Sequence, residues 1–179
     1  MAHEIRIFGD PVLKTKAVEV TDIDGKLVAL ADEMLHVMYE APGLGLAAPQ
    51  IGIQKQLFVY DVGDGPQTLV NPAIGESSGE WLYDEGCLSI PGLYVEIARP
   101  KQVLMIGRDL DGNEVEIEAD ELLARLFQHE LDLLNGTLMF ERMTPEQRKE
   151  AMAEWRRLQD DPQPAPKAKS ERRRILFNR

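Results

Sequence analysis

The sequence predicts a single α+β domain in which antiparallel strands combine with a few helices. The chain has 179 residues, enough for one domain with a substantial core. Short runs of β-forming residues follow one another through its middle without intervening helical patterns, and this spacing favours antiparallel pairing over a parallel α/β sheet. Amphipathic helical patterns lie on either side of that region.

The charge of the chain is divided unevenly. Apolar residues make up 44% and charged residues 28%, an ordinary globular balance, and the net charge is −11. Residues 167–179 alone carry a net charge of +5, so the remaining 166 residues sum to −16. This acidic body argues against nucleic-acid binding across the fold. We expect one domain over residues 1–160 and a disordered, Pro- and Arg-rich basic tail over residues 161–179.

The cellular compartment is predicted from three absences in the sequence. The single cysteine excludes an intrachain disulfide, which suits a reducing compartment. The first residues show no apolar signal-peptide core, and no stretch reaches the apolar length that crosses a bilayer. We therefore expect a cytoplasmic protein.

Three helices are predicted from periodicity and capping residues. The first begins after Asp24 and ends before Pro42, with apolar residues at three- and four-residue spacings. The second runs from Asp120, a plausible N-cap, to Gly136, a plausible C-cap. The third follows the cap at Thr144 and ends near residue 160.

The strands are predicted from short β-type runs bounded by turn residues. Asp111 and Gly112 form a typical hairpin turn pair between the last two runs. The predicted runs are residues 56–60, 68–70, 94–97, 103–106 and 115–117.

The first segment with chemical potential is GLGLAAPQ at residues 43–50. It satisfies a relaxed dinucleotide-binding pattern, but that pattern should follow a strand and open a helix. This segment follows a helix and meets Pro49, so we reject that interpretation. Two alternatives stay open: a structural turn, or a loop whose small residues let a substrate backbone approach the amide of Gln50.

The second segment is EGCLS at residues 85–89. A lone cysteine such as Cys87 is commonly a small buried hydrophobe. Its flanks favour a function, because Gly86 removes bulk beside the sulfur while Glu85 and Ser89 supply polar groups. A thiolate binds soft or borderline metals well.

The third segment is His129-Glu130-Leu131-Asp132-Leu133. In a His-Glu-x-x-His helix, the two imidazoles share one face and bind one metal. Leu133 stands where the second histidine would be. Taken alone, such a His-Glu pair is more often solvated or packed than catalytic, and the stripe of Leu122, Leu126, His129 and Leu133 is consistent with core packing.

Together, the three segments resemble the signature segments of peptide deformylases, in order and at similar separations. The likeness extends from about residue 4 to residue 158. It implies a fold of antiparallel β-sheets packed around a central motif-bearing helix. It also implies metal-dependent hydrolysis of the N-terminal formyl group from N-formylmethionyl nascent polypeptides.

The resemblance assigns a role to each matching residue. Cys87 and His129 correspond to ligands of Fe²⁺, for which Zn²⁺, Ni²⁺ or Co²⁺ can substitute, and Glu130 corresponds to the general base. The side-chain amide of Gln50 and the backbone N–H of Leu88 correspond to oxyanion donors. Gly45 corresponds to the loop position beside the formyl group. The lining of the pocket for the substrate's methionine side chain corresponds to Leu44, Leu122 and Leu126.

Leu133 departs from the family pattern, because its side chain has no lone pair to offer a metal. We expect low metal occupancy and impaired activity, since two protein ligands make a weak site. Three explanations stay open: an engineered or accidental change, a natural pseudoenzyme, or another group such as Glu130 completing the site.

The main alternative to an enzyme is a catalytically inactive deformylase homologue that binds a peptide or small molecule in the same cleft. A zinc peptidase is less consistent with the sequence, because Leu133 replaces the second histidine of the His-Glu-x-x-His motif. The resemblance also suggests a partner beyond the substrate, since the basic residues 167–179 suit contact with ribosomal RNA.

Overall fold

The computed structural model describes residues 3–161, which form two antiparallel sheets and three α-helices. The strands are β1 (Gly45–Ala47), β2 (Leu57–Tyr60), β3 (Gln67–Ser78), β4 (Trp81–Cys87), β5 (Ile90–Arg99), β6 (Gln102–Arg108) and β7 (Glu114–Asp120). The larger sheet has the strand order β1-β2-β3-β6-β7, and β4 pairs with β5 in a separate two-stranded sheet. The helices are α1 (Gly25–Glu40), α2 (Glu121–Leu134) and α3 (Pro145–Asp160). The predicted α+β fold is confirmed.

Helix α2 lies at the centre of the molecule. The carboxylate of Asp120 accepts the backbone N–H of Glu121, which begins the helix as the sequence predicted. The helix packs against β1, β3, β6 and β7, and nearly every side chain from residue 124 to residue 134 is buried. An outer helix would hide one stripe only, so burial on all sides marks a central helix. The expectation of a central motif-bearing helix is confirmed.

Helix α1 covers the larger sheet with its apolar face. The carboxylate of Asp24 accepts the N–H groups of Lys26 at 3.1 Å and Leu27 at 2.9 Å, so this predicted start is also confirmed. The apolar residues at helical spacing face β1 and β2. The buried ones are Leu27, Ala31, Met34, Val37 and Met38, whereas Leu30 and Leu35 are partly buried.

Helix α3 closes the molecule beside the two-stranded sheet. The hydroxyl of Thr144 accepts the N–H of Gln147 at 3.2 Å, while the Gln147 side chain accepts the N–H of Thr144 at 3.1 Å. This reciprocal cap fixes the start of the helix where the sequence placed it. Trp155 is buried and meets the ring of Phe8 edge-on at 6.2 Å.

Several element boundaries differ from those predicted. Strand β3 continues eight residues beyond residue 70, because its second half is exposed and polar and lacks apolar alternation. Strand β4 was not predicted, since it mixes aromatic, charged and small residues. Helix α2 ends one residue earlier than expected: Asn135 is its C-cap and Gly136 follows with φ of 72°.

Two expectations concern regions beyond these elements. The tail predicted over residues 161–179 lies outside the described residues, except for Asp161 at its start. Among residues 3–161, no helix is both long enough and apolar enough to cross a membrane.

Candidate functional site

The structure brings the three predicted segments together around the middle of α2. Gly45 lies on β1, and Gln50 lies in the short 3-10 helix that follows it. Cys87 ends β4, and α2 supplies His129 and Glu130. Each of the four functional side chains is at most 5% exposed. Residues that are distant in the chain are therefore gathered in one enclosed site.

Gly45 allows the first segment to approach the third. A Cβ atom added to this glycine would lie 2.5 Å from Oε1 of Glu130 and 3.0 Å from its carboxyl carbon. Because real Cβ atoms do not come that close to other heavy atoms, no larger residue fits here unless the buried Glu130 moves. The glycine is thus required by close contact with a predicted catalytic group.

The side chain of Gln50 joins the first segment to the second. Its carbonyl oxygen accepts the backbone N–H of Ala47 at 2.9 Å, which fixes the orientation of the amide. Its NH₂ group donates to the hydroxyl of Ser89 at 3.1 Å and lies 3.8 Å from the sulfur of Cys87. The amide is therefore held with its donor side towards the cysteine.

His129 is oriented by Glu85, the first residue of the second segment. Its Nδ1 lies 2.7 Å from Oε1 of Glu85. Arg99 donates to both oxygens of the same carboxylate at 2.7 Å, and Arg125 donates to Oε2 at 2.9 Å. Burial alone would raise the pKa of Glu85, but Arg99 and His129 hold it well below its usual value. The ionised carboxylate only accepts hydrogen bonds, so Nδ1 of His129 is the donor.

The same network extends away from the site through Asp132. Its Oδ2 accepts from Nη1 of Arg99 at 2.9 Å and from Nε of Arg142 at 2.9 Å. Nη2 of Arg142 binds the other oxygen at 2.5 Å. The carboxylate of Asp132 is thus occupied by two guanidinium groups and is not a substitute ligand.

Cys87 is buried where a thiol is favoured over a thiolate. Burial raises the pKa of Cys87 to about 12, and the negative charges of Glu130 and Glu85 act in the same direction. Hydrogen bonds from the backbone of Ser89 and Ile90 oppose this shift only in part. The cysteine therefore needs a nearby cation to become a good ligand.

Glu130 is the most unusual group of the site. Its side chain is fully buried, and neither carboxyl oxygen has a hydrogen-bond partner among the described residues. Burial, and secondarily the charge of Glu85, raises the pKa of Glu130 well above its usual value. A buried polar group without partners is costly and is typical of a position whose partner is a ligand.

Leu133 occupies the predicted position of the third ligand. It is 1% exposed and belongs to the hydrophobic core. Within residues 3–161, no three side chains of His, Cys, Asp or Glu are grouped so that they could hold a metal ion. The residues present therefore do not fit the three-ligand set that the resemblance implies, because the thiol of Cys87 and the imidazole of His129 are the only two of its donors.

The remaining predicted residues are placed less specifically. Leu44 and Leu126 are buried, Leu122 is partly buried and packs against the core, and their role as a methionine pocket stays a prediction. The other two histidines lie on the surface: His3 pairs with Glu33 and His36 pairs with Glu40.

The chain was compared with known proteins. Residues 2–149 match the family model described as polypeptide deformylase. The chain belongs to the peptide deformylase family. This match covers all three segments and the whole of the central helix, so the predicted family is confirmed.

Similar deformylases come from distant bacteria. The chain is 51% identical over 142 residues to a peptide deformylase of Clostridium botulinum, covering 79% of this chain and 97% of that protein. It is 48% identical over 156 residues to one from Acidothermus cellulolyticus, covering 84% of this chain and 87% of that protein. An enzyme of this class, which hydrolyses a formamide bond, is therefore supported over most of the chain.

Solved deformylase structures share the fold. A peptide deformylase of Thermotoga maritima superposes with a TM-score of 0.79 at 44% identity, covering 81% of this chain and 99% of that one. A deformylase of Synechococcus elongatus, solved in complex with actinonin, gives a TM-score of 0.81 at 42% identity and covers 85% of each chain.

The sequence analysis did not find the charged network behind the site. Arg99 ends a strand, Arg125 lies in an otherwise apolar stretch of α2, and Arg142 follows the helix in a short 3-10 turn. One signal was present, because an arginine at the central position 125 needs a buried carboxylate partner.

Proposed function

We propose that this site binds the formylated N-terminus of N-formylmethionyl nascent polypeptides and that Leu133 limits its hydrolysis of the formamide bond. The family at about 50% identity supports removal of an N-terminal formyl group. The observation that supports the proposal is the set of buried contacts that join the three segments: Gln50 with Cys87, Glu85 with His129, and Gly45 with Glu130.

The residues of the chain have separable tasks in this reaction. The amide of Gln50 and the backbone N–H of Leu88 donate to the formyl oxygen as it becomes negative. Gly45 leaves room for the formyl group beside Glu130. Glu130 accepts a proton from the attacking water and returns it to the leaving amine, and its high pKa favours holding that proton.

Metal binding is the step that Leu133 weakens. The family is metal-dependent, and we propose Fe²⁺ as the ion of this site, with Zn²⁺, Ni²⁺ or Co²⁺ as substitutes. In this chain we propose low occupancy, because loss of one donor removes a large part of the binding free energy. The weak site follows from Leu133, whereas Glu85 still holds His129 in the orientation that a ligand needs.

A second candidate is a catalytically inactive homologue that binds a formylated peptide or a small molecule in the same cleft. The burial of Leu133 in the core favours it, because the leucine is packed as a structural residue. In that case the carboxyl oxygens of Glu130, which have no hydrogen-bond partner among the described residues, would bind a ligand without hydrolysing it.

Comparison of the chain with its Leu133→His variant tests these proposals. Hydrolysis of a formyl-Met peptide and bound Fe²⁺, Ni²⁺ and Zn²⁺ are measured for both, with Leu134→His as control because Leu134 is equally buried. We expect weak hydrolysis by the parent chain and a gain of at least about a hundredfold only in Leu133→His. Equal activity in parent and Leu133→His would contradict the role given to Leu133. Peptide binding without hydrolysis in the parent would select the inactive homologue.

We also propose that the protein acts in the cytoplasm and contacts the ribosome through residues 167–179. The net charge of +5 in this segment attracts RNA, which the acidic body repels. Ribosome co-sedimentation of the full chain and of a variant with Arg172, Arg173 and Arg174 changed to Gln should show salt-dependent binding of the full chain only. Equal binding of the two proteins would exclude the tail as the tether.

A further inference from the structure

A second surface, separate from the catalytic cleft, lies on the outer face of the sheet formed by β3, β6 and β7. Four acidic residues alternate along β7 and are exposed on one face. The register places Glu118 opposite Leu104 and Leu104 opposite Glu76, so carboxylates stand on both sides of β6. We call this the acidic face: Glu76, Glu114, Glu116, Glu118 and Asp120.

The acidic face has an apolar centre that is not part of the core. Leu104 and Ile106 project from β6 on this side and are partly exposed, and neither packs against the hydrophobic core. Gly75 on β3 makes room for the side chain of Ile106, because a Cβ there would lie 2.8 Å from Cδ1 of Ile106. A groove of about 500 Å³ lies next to Leu104, and its lining also includes Glu76, Gln102 and Glu118. The surface therefore combines a small apolar centre with a groove whose lining is mainly polar and acidic.

The charges of this face are not neutralised within the described part of the chain. Glu76, Glu116 and Glu118 form no salt bridge to any residue between 3 and 161. Arg108 is the one basic residue that the register places on the face, opposite Glu114. The carboxylates follow one another along one face of β7, and Glu76 of β3 faces them from about 10 Å away across β6, so a cationic partner would offset their mutual repulsion.

We propose that the acidic face binds the basic C-terminal segment of the same chain, residues 167–179. That segment carries a net charge of +5 and contains Arg172, Arg173 and Arg174 followed directly by Ile175, Leu176 and Phe177. Three cations next to three apolar residues match carboxylates next to Leu104 and Ile106 in both charge and hydrophobicity. A second copy of the chain would offer the same segment, but only at the bulk concentration.

The length of the chain makes the intramolecular contact accessible. Arg172 lies eleven residues beyond Asp161, the last described residue. Fully extended, eleven residues span up to about 40 Å, which matches the width of about 40 Å of a compact body of this size. A tether of this length gives an effective concentration near the millimolar range, which favours the chain's own segment over a free partner. Because the docked segment uses the charges that would bind RNA, the two contacts exclude each other.

Carbodiimide cross-linking of the full chain tests this contact, since the reagent joins a lysine amine directly to a carboxylate. Lys167 and Lys169 lie in the proposed segment and provide the amines. The sample is an equal mixture of ¹⁴N- and ¹⁵N-labelled protein, so that mass spectrometry separates cross-links within one chain from those between chains. The expected result is intrachain cross-links from these lysines to Glu76, Glu116 or Glu118.

Two variants of the full chain complete the test. Changing Glu76, Glu116 and Glu118 to Gln should lower the total cross-link yield of the two tail lysines roughly tenfold. Salt at about 0.5 M should lower the yield of the unchanged chain to a similar extent, because it screens the charges. The control changes Glu19 to Gln and Asp22 and Asp32 to Asn, which removes three charges elsewhere on the surface and should leave the yield unchanged. Cross-links chiefly between chains would assign the face to a second copy, and cross-links spread evenly over the surface would show no preferred site. Either result overturns the proposal.

Discussion

Replacement of Leu133 by histidine should make the stability of this protein depend on a divalent ion. The parent side chain is 1% exposed and packs in the core. Histidine at this position removes apolar area from the core and places a polar ring there. With Cys87 and His129 it also completes the three-donor set of the family.

The two effects can be weighed against each other. Loss of a buried leucine costs about 1.5–3 kcal/mol, and a buried imidazole without a partner costs about 1–3 kcal/mol more. With a chelator present, the free energy of unfolding of Leu133→His should therefore be about 3–5 kcal/mol lower than that of the parent chain. An ion present at a concentration a thousand times its dissociation constant stabilises the folded state by about 4 kcal/mol, so saturating ion should restore most of the lost stability.

Urea unfolding with and without Zn²⁺ measures both quantities. The parent chain should show almost the same midpoint in chelator and in Zn²⁺, because two donors bind the ion weakly. Leu134→His is the control, since it buries the same ring without joining Cys87 and His129, and it should lose stability that Zn²⁺ does not restore. If Zn²⁺ stabilises the parent as much as Leu133→His, a third ligand already exists and the reasoning is wrong.

Three further predictions follow from the buried groups of the site. Gly45→Ala should destabilise the fold by about 1–3 kcal/mol in urea unfolding, because its Cβ would lie 2.5 Å from Glu130; a wild-type midpoint would show that Glu130 moves freely. The pKa of Glu85 is lower in the folded than in the unfolded chain, so its stabilisation is present above about pH 4.3 and is lost as the pH falls. Glu85→Gln should thus destabilise strongly at pH 7, by about 3–5 kcal/mol, and less in acid; a pH-independent difference would refute this. The pKa of Glu130 is raised, so its burial costs stability as the pH rises above about 4.3, and Glu130→Gln should raise the midpoint more at pH 8 than at pH 4. Equal midpoint changes at both pH values would mean that Glu130 is ionised in the folded protein.

The helices were predictable because their determinants are local. Asp24, Asp120 and Thr144 cap the N-termini, and apolar spacing identified the buried face of α1. Strand β4 was not predictable, because Trp81–Cys87 has no simple alternation and is stabilised by pairing with β5. Local sequence also said nothing about its partner, since pairing between strands is a tertiary property.

The residues of the candidate site differ in how far the sequence pointed to them. Gln50, Cys87, His129 and Glu130 were singled out from sequence because they lie in short segments that occur together, and their catalytic and metal-binding roles stay predictions. The network around Glu85 was missed, because Arg99 and Arg125 come from separate elements and meet only in the folded chain. What the sequence could not supply was the long-range geometry that turns separate charges into one buried cluster.

The shared carboxylate of Glu85 has a consequence for how this protein can change over generations. It accepts hydrogen bonds from Arg99, Arg125 and His129, so replacing it would remove an acceptor from three buried groups at once. Drift at that position is therefore opposed by folding itself, whether or not the protein catalyses anything. His129 remains oriented for a ligand role, and two of the six leucine codons become histidine codons by one base change. A gene that encodes Leu133 with either of those two codons is therefore one base change from the histidine that the resemblance implies at this position.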